Sequence, residues 1–462
     1  MILEGTYPYV TGGVSAWAHD LIGNLPEIEF SILSISPSPY LKIAYELPQN
    51  VVEHRDYVLS KPNPHQKSLP LGARLKLGKR ILAMHDASRS TQDSAMELLR
   101  SLPTGYRLGP DFGKRSWAWN LITSRNSESN PFFPFAEYYW SLAASHQLIF
   151  NALSFDLPPA DLYHTVSTGL AGLVAIAAKA RTGKPVMLTE HGLYHKEREL
   201  EIRRATFVRG YQRDMWSKAY TRLAALCYSH ADLVVTLFEK NRRAEIELGA
   251  NEDRCLVIPN GIDIERFASI PRRPRPGIHI GLVGRIVPIK DIKSFLVMAK
   301  IVADRMPEAR FWIIGPTDED QTYYEECLRL ATSLGLDDRL TFTGRADVKE
   351  YYSFLDVLVL SSVREAQPLV ILEGWAAGIP CVSTAVGDIP ELLDHDERLL
   401  SSPKDPARQA ENVINLLQDT NRIEALRERG RSVVAQRYNR GDLTNSYRKI
   451  YARLASGRPW QE

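Results

Sequence analysis

The chain is expected to be an α/β protein of two parallel-sheet domains, on three observations. Its 462 residues exceed what one compact hydrophobic core supports. Short apolar runs alternate with amphipathic helical stretches in both halves, the rhythm of parallel sheets covered by helices. Between the halves, residues 269–277 ("SIPRRPRPG") concentrate proline and arginine, as an inter-domain linker does, and read as a solvated hinge.

The elements follow in order. "ILEG" is strand-like and leads into "TYPYVTGGVSAWAHDL", a glycine loop opening a helix with Val14, Trp17, Leu21 and Ile22 on one face. Residues 60–160 are rich in Pro, Ser and aromatics, with helix-like pieces "ARLKLGKRILAMHD" and "FAEYYWSLAASHQLIFNAL". They read as a largely helical insertion, since a long structureless loop is unusual in a compact domain. "DLYHTV" then reads as a strand, "GLAGLVAIAAKARTG" as a helix closed by Gly183, and "KPVMLTEHG" and "ADLVVTLF" as strands. "CLVIPNGID" closes a first domain of residues 1–268. A second domain, 278–437, alternates cleanly through "IHIGLVG", "DIKSFLVMAKIVADRM", "ARFWIIG", "RLTFTG", "DVLVLSS" and "PCVST". Residues 438–462 form a last helix beyond the final strand.

Composition narrows the function classes. A net charge of +2 provides no electrostatic basis for binding nucleic acid, so any anion site must be local. The four cysteines, Cys227, Cys255, Cys327 and Cys381, lack CxxC spacing, which suits reduced thiols in a cytoplasmic protein. No basic region followed by an apolar stretch opens the chain, so no signal peptide is expected. Apolar runs such as "GLVAIAA" fall short of the roughly 18 residues a membrane span needs, so membrane association is expected only through partners.

Ligands of open parallel sheets bind where strands end and helices begin, and the unusual residues cluster at such places. Gly12 and Gly13 let backbone amides approach an anion, although a Gly-Gly before a helix also serves as a plain turn. Arg285 and Lys290, in "GLVGRIVPIKDIKSF", follow a buried strand; a forked donor beside a point charge suits a diphosphate. His191 in "TEHGLY" ends another strand, and His164 has a similar but weaker position. In "VREAQPLVILEGWAAGIP", Pro368 suits a helix's first turn, and the amides of Ala366, Gln367 and Leu369 are left free at its start. Glu365 lies beside them and Glu373 inside the helix. Carboxylates only accept hydrogen bonds, so one suits the hydroxyls of a sugar and the other a ribose diol. Sugar, diphosphate and ribose together describe a nucleotide sugar.

"PNGID", the arginine–lysine loop, "EHG", the N-terminal glycine pair and the two spaced glutamates resemble glycosyltransferase family 4, of the GT-B fold with two Rossmann-like domains facing across a cleft. "LEGTYPYVTGGVSAW", "TEHGLYHKERELEI", "IIGPTDEDQTYYEEC" and "QPLVILEG" are similar to its PelF subgroup, associated with the biofilm exopolysaccharide Pel. The resemblance implies a retaining, metal-independent hexosyltransferase that moves a hexose from a UDP-sugar, UDP-glucose first, to a growing saccharide acceptor. It implies that Gly12, Gly13, Arg285 and Lys290 hold the diphosphate and that Glu373 binds ribose. Glu365, with Ala366, Gln367 and Leu369, would hold the donor sugar, His191 would sit beside the anomeric centre, and Arg345 would frame the base. By the same resemblance the last helix returns to the first domain, and membrane-bound polysaccharide synthase subunits are the partners. Two alternatives stay open: a nucleotide-sugar 2-epimerase of the same fold, and a non-catalytic UDP-sugar-binding subunit.

The sequence departs from the family pattern at Ala366, where the loop usually carries glycine; a positive φ there would strain alanine. "TDEDQTYY" contains a D-x-D, Asp318 and Asp320, which reads better as a helix cap at Thr317 or Asp318 than as a metal site, so no cofactor is expected. Transfer activity is therefore expected to persist in excess chelator; loss restored by a divalent cation would reassign Asp318 and Asp320 to metal binding.

Overall fold

The computed structural model describes residues 1–36, 39, 42–60, 67–84, 91–108, 118–120, 122–123, 134–206, 208–458 and 460. They form two compact units, Met1–Ile258 with Ser446–Glu462, and Pro259–Asn445. Each contains one large, wholly parallel sheet, and the first also holds a two-stranded parallel pair.

In the first unit the main strands are β1 (Ile2–Glu4), β2 (Phe30–Ser36) and β3 (Val51–Val58). A separate short pair, β4 (Lys67–Ser68) and β5 (Tyr106–Arg107), precedes β6 (Tyr163–Thr165), β7 (Val186–Glu190), β8 (Leu233–Thr236) and β9 (Cys255–Val257). The sheet order is β3-β2-β1-β6-β7-β8-β9. Strand β7 is buried throughout, as expected of a strand covered by helices on both faces. The order reverses between β1 and β6, so the loop carrying Gly12 and Gly13 leaves the sheet at its switch point.

Helices cover this sheet. Gly13–Gly23 buries Ser15, Ala18, Leu21 and Ile22; Leu170–Thr182 is buried from Ala171 to Ala178 and ends at Gly183. Among the described residues, the segment expected as an insertion contains the helices Leu71–Met84, Thr91–Ser101 and Phe135–Leu153, of which Thr91–Ser101 was not foreseen, besides the β4–β5 pair. Residues 85 and 86 of the first predicted piece lie outside the described residues. Two further helices missed in the sequence, Tyr194–Arg204 and Gly210–His230, pack on each other between β7 and β8. The final helix, Arg440–Ala455, buries Tyr447, Ile450, Tyr451 and Leu454 at helical spacing in its first-unit portion. There Tyr451 Oη lies 2.6 Å from His164 Nδ1.

The second unit holds β10 (Ile278–Val283), β11 (Ala309–Ile314), β12 (Leu340–Gly344), β13 (Val357–Leu360), β14 (Cys381–Thr384) and β15 (Leu400–Ser401) in the order β12-β11-β10-β13-β14-β15. Its helix Ile292–Arg305 buries Ile292, Phe295, Leu296, Ala299 and Val302, a stripe at 3.6-residue period. At roughly 1.5–3 kcal/mol per large side chain, such stripes are the main term holding helix to sheet.

Two boundaries differ from the sequence reading. Residues 259–268, expected in the first domain, belong to the second unit, where Ile262 N–H donates to Tyr438 O and Ile262 bridges to Asn439. The arginine-rich segment is exposed from residue 271 to 277 but is tied to the second unit rather than left as a free hinge. Arg272 Nη1 donates to Leu355 O at 2.6 Å, Arg273 N–H donates to Ser353 O at 2.7 Å, and the Arg275 guanidinium lies 3.7 Å from the centre of the Phe354 ring. The carbonyls after the short helix Val348–Tyr352 need donors, and this segment supplies them.

The ends of β10 and β11 approach closely. A Cβ on Gly315 (φ 152°) would stand 2.0 Å from Gly284 O, a clash with backbone that no side-chain rotation relieves. Gly315→Ala is expected to destabilise the second unit by about 3 kcal/mol, combining backbone strain and overpacking, as read by urea denaturation.

Candidate active site

The second unit's switch point lies between β10 and β13, which pair in register through Ile280↔Val357 and Gly281↔Leu358. Both strands therefore end side by side, and their loops are joined: Val363 N–H donates to Ile289 O and Ser361 Oγ to Lys290 O, each at 2.9 Å. This brings Lys290 Nζ within 2.5 Å of Glu365 Oε1, which also accepts from Ser362 Oγ at 2.6 Å. The two charged side chains are only 20% and 12% exposed, so each is the other's principal compensation for lost water.

Arg285 and Arg345 are engaged elsewhere. Arg285 Nη1 lies 2.6 Å from both Glu319 oxygens, and Arg345 pairs loosely with Asp318 at 3.8 Å. All four of these side chains are substantially exposed, so these pairs are weak and open to exchange. The helix after "GPTDED" is capped by Asp320, whose carboxylate accepts from Tyr323 N–H, rather than by Thr317 or Asp318. Among the described residues no cluster of three or more His, Cys, Asp or Glu could hold a metal ion.

The helix Leu369–Ala376 starts beside Glu365, with Pro368 as its N-cap residue rather than in the first turn. The amides of Ala366, Gln367 and Leu369 have no acceptor among the described residues, leaving three donors at a helix N-terminus. Glu373 is largely buried; burial raises its carboxyl above the ordinary value, and Tyr352 Oη donates to it at 3.3 Å. Ala366 avoids the left-handed backbone, which among non-glycine described residues is confined to Asp291, Asp394, His395 and Lys404. Alanine is therefore unstrained there.

Sequence reasoning missed what holds this loop. Asn260 N–H donates to Gln367 Oε1 at 2.7 Å, Gln367 Nε2 donates to Asp388 Oδ2 at 3.1 Å, and Asp388 N–H donates to Ala366 O at 3.0 Å. Gly387 (φ 60°) abuts the loop so closely that a Cβ would lie 2.1 Å from Glu365 O. The fragments "PNGID" and "VGDIP" were visible, but nothing local in them pointed at residue 367.

His191, Gly12 and Gly13 lie in the first unit. The His191 ring packs edge-on against Trp17, with centroids 4.6 Å apart; its Nε2 is buried without a partner, and burial lowers its pKa to about 4, leaving it neutral at pH 7. His164 is satisfied instead, by Tyr451 Oη and by Thr189 Oγ1 at 2.8 Å. A side chain on Gly12 or Gly13 would meet no atom within 4 Å, so packing within this unit does not require glycine at either position.

Buried carboxylates occupy other helix starts here. Glu4 accepts from Ala171 N–H at 3.1 Å and Tyr194 Oη at 3.0 Å. Glu190 accepts from Tyr194 N–H at 2.9 Å, Thr168 Oγ1 at 3.2 Å and the Tyr228 hydroxyl. Burial, followed by the charge of Glu245, holds the Glu190 carboxyl well above the ordinary range, and burial raises Glu245 too.

Comparison with known proteins agrees with this architecture. The chain belongs to the family described as "Domain of unknown function (DUF3492)", matched over residues 1–253. Residues 277–419, within the second unit, match "Glycosyl transferases group 1". N-acetyl-alpha-D-glucosaminyl L-malate synthase of Bacillus anthracis is 32% identical over 38% of this chain and 44% of its own. The chain spans about half the length of the curated relatives it matches. Sucrose-phosphate synthase of Thermosynechococcus elongatus superposes with a TM-score of 0.61 over 99% of both chains at 18% identity. Anabaena Alr3699/HepE, solved in complex with UDP, superposes with 0.60 over 98% of this chain and 99% of its own at 16% identity. The fold is GT-B, with two Rossmann-like parallel-sheet domains. No helix among the described residues is long and apolar enough to cross a membrane.

The raised carboxyls imply a sign for pH dependence. The folded unit keeps protons on Glu190 and Glu245 that an unfolded chain, with the ordinary value of 4.5, would release. Their contribution is fully present below that value and is lost as pH rises through the folded values. First-unit stability is expected to fall between pH 5 and pH 8, and Glu245→Gln to recover about 1 kcal/mol or more at pH 8 with little change at pH 5, as read by urea midpoints.

Proposed function

We propose that the chain is a retaining, metal-independent hexosyltransferase that takes a UDP-sugar, UDP-glucose first, and extends a Pel-type exopolysaccharide acceptor. The observation that carries this reading is the Lys290–Glu365 pair beside three unpartnered amides at the β10–β13 switch point. That set combines a cation for a diphosphate, an acceptor for sugar hydroxyls and fixed N–H dipoles. The UDP complex of HepE, a protein of the same fold, supports a nucleotide ligand.

In this mechanism the bond from the anomeric carbon to the β-phosphate oxygen breaks, and the acceptor hydroxyl oxygen bonds to that carbon from the same face. The acceptor proton passes to a β-phosphate oxygen. Lys290 and the amides of Ala366, Gln367 and Leu369 hold the charge that grows on the leaving diphosphate, and fixed donors of this kind lower the barrier without reorganising. Arg285 joins them once the diphosphate displaces Glu319. Glu365 accepts from sugar hydroxyls, Glu373 from the ribose, and Arg345 frames the base. Gly12 and Gly13 are assigned to the diphosphate and His191, neutral and with a free nitrogen, to the reacting sugar. Membrane-bound synthase subunits supply the acceptor.

A panel of UDP-sugars, scored by thermal shift and by nucleotide release with and without acceptor oligosaccharide, tests the reading. UDP-glucose is expected to stabilise the protein. Lys290→Ala is expected to weaken UDP binding about tenfold, and Glu365→Gln to lower turnover about a hundredfold or more. Silence across the panel, or an inverted anomeric product by NMR, would refute it.

A further inference from the structure

The donor-side loop is held by a relay whose polarity leaves no freedom. A backbone N–H can only donate, so the Asn260 amide obliges Gln367 to turn its oxygen toward residue 260. The Gln367 NH₂ then points at Asp388, whose Oδ2 must accept. Asp388 returns its own N–H to Ala366 O, and Gly387 lies against the carbonyls of Glu365 and Ala366. Gln367 and Asp388 are 7% and 5% exposed, so water does not substitute for either partner.

From this geometry we infer that Gln367 and Asp388 are positioning residues which set the conformation of the 365–369 loop, and that the charge on Asp388 governs how firmly they hold it. The inference rests on the proposed function for what the loop binds, but not for the relay itself. Other groups bear on the Asp388 carboxyl: Glu391, on the helix that Asp388 opens, and Arg437 and Tyr438 at the end of Thr420–Arg437. Burial, the largest influence, raises its pKa from 3.8 to about 6, with Gln367 and Arg437 opposing and Glu391 assisting. Above that pH the carboxylate is a charged acceptor and the relay is strong; below it, a proton competes with the Gln367 NH₂ for the same oxygens.

Hydrogen–deuterium exchange of the full chain, corrected for intrinsic rates, tests the relay without ligand. Protection of the two amides that the relay engages, Asn260 N–H and Asp388 N–H, read from peptides that contain them, is expected to fall about fivefold from pH 7.5 to pH 5, as a charge-assisted bond becomes neutral. Asp388→Asn should remove that pH dependence, and Gln367→Ala should leave the Asn260 and Asp388 amides poorly protected at both pH values. An Asp388→Asn protein with wild-type pH dependence, or Gln367→Ala with wild-type protection, would overturn the inference. Calorimetry with UDP-glucose, whose diphosphate does not titrate in this range, separates the two claims. Wild-type binding is expected to weaken several-fold at pH 5, and binding by Asp388→Asn to be flat with pH. Absence of wild-type UDP-glucose binding alongside the expected exchange pattern would sink the functional reading and leave the relay standing.

Discussion

The candidate donor site depends on the parallel pairing of β10 with β13, two strands separated in sequence by β11 and β12. Because the sheet grows outward in both directions from that pair, the loops after β10 and β13 emerge side by side with no crossover between them. The bonds Val363 N–H to Ile289 O and Ser361 Oγ to Lys290 O hold the loops in step. Only then can an ammonium from one loop meet a carboxylate from the other. Removing either member would leave an isolated, largely buried charge, which is far costlier than losing the pair together.

The helix start at the candidate site differs from two in the first unit and from those in the second unit capped by Asp263, Asp320, Asp347, Asp405 and Asp419. In the first unit, Glu4 and Glu190 approach the starts of Leu170–Thr182 and Tyr194–Arg204. Those amide donors are occupied by side chains of the same chain. At the candidate site the donors before and at the start of Leu369–Ala376 are left open, and Glu365 is turned to Lys290. Burial raises the carboxyls of Glu4 and Glu190, and the hydrogen bonds they accept oppose that rise. Each accepts several hydrogen bonds that make its position structural.

His191 differs from its neighbours in the first unit. His164, which lies inside β6 rather than at its end as the sequence suggested, has both ring nitrogens engaged, whereas His191 is located by the edge of Trp17 and keeps an unpartnered nitrogen. Sequence placed both histidines at strand termini and could not rank them by bonding, because the partners, Tyr451 and Thr189, come from distant segments. The same limit applied to Arg285. Its position after β10 was evident, but its engagement by Glu319 arises from adjacency of β10 and β11, which no local pattern records.

By itself the sequence determined the α/β class, the alternation of strand and helix, helical pieces at Leu71–Met84 and Phe135–Leu153, and residues such as Arg285 and His191 that follow strand ends. Those features are written in local periodicity and in glycine and proline punctuation, which act over a few residues. Tertiary structure alone decided which ends meet. It set the Lys290–Glu365 contact, the attachment of residues 259–277 to the second unit, and the convergence of Asn260, Gln367 and Asp388. Strand order is a long-range choice, fixed by how whole layers bury their apolar faces, and hydrogen-bond partners a hundred residues apart leave no trace in local spacing.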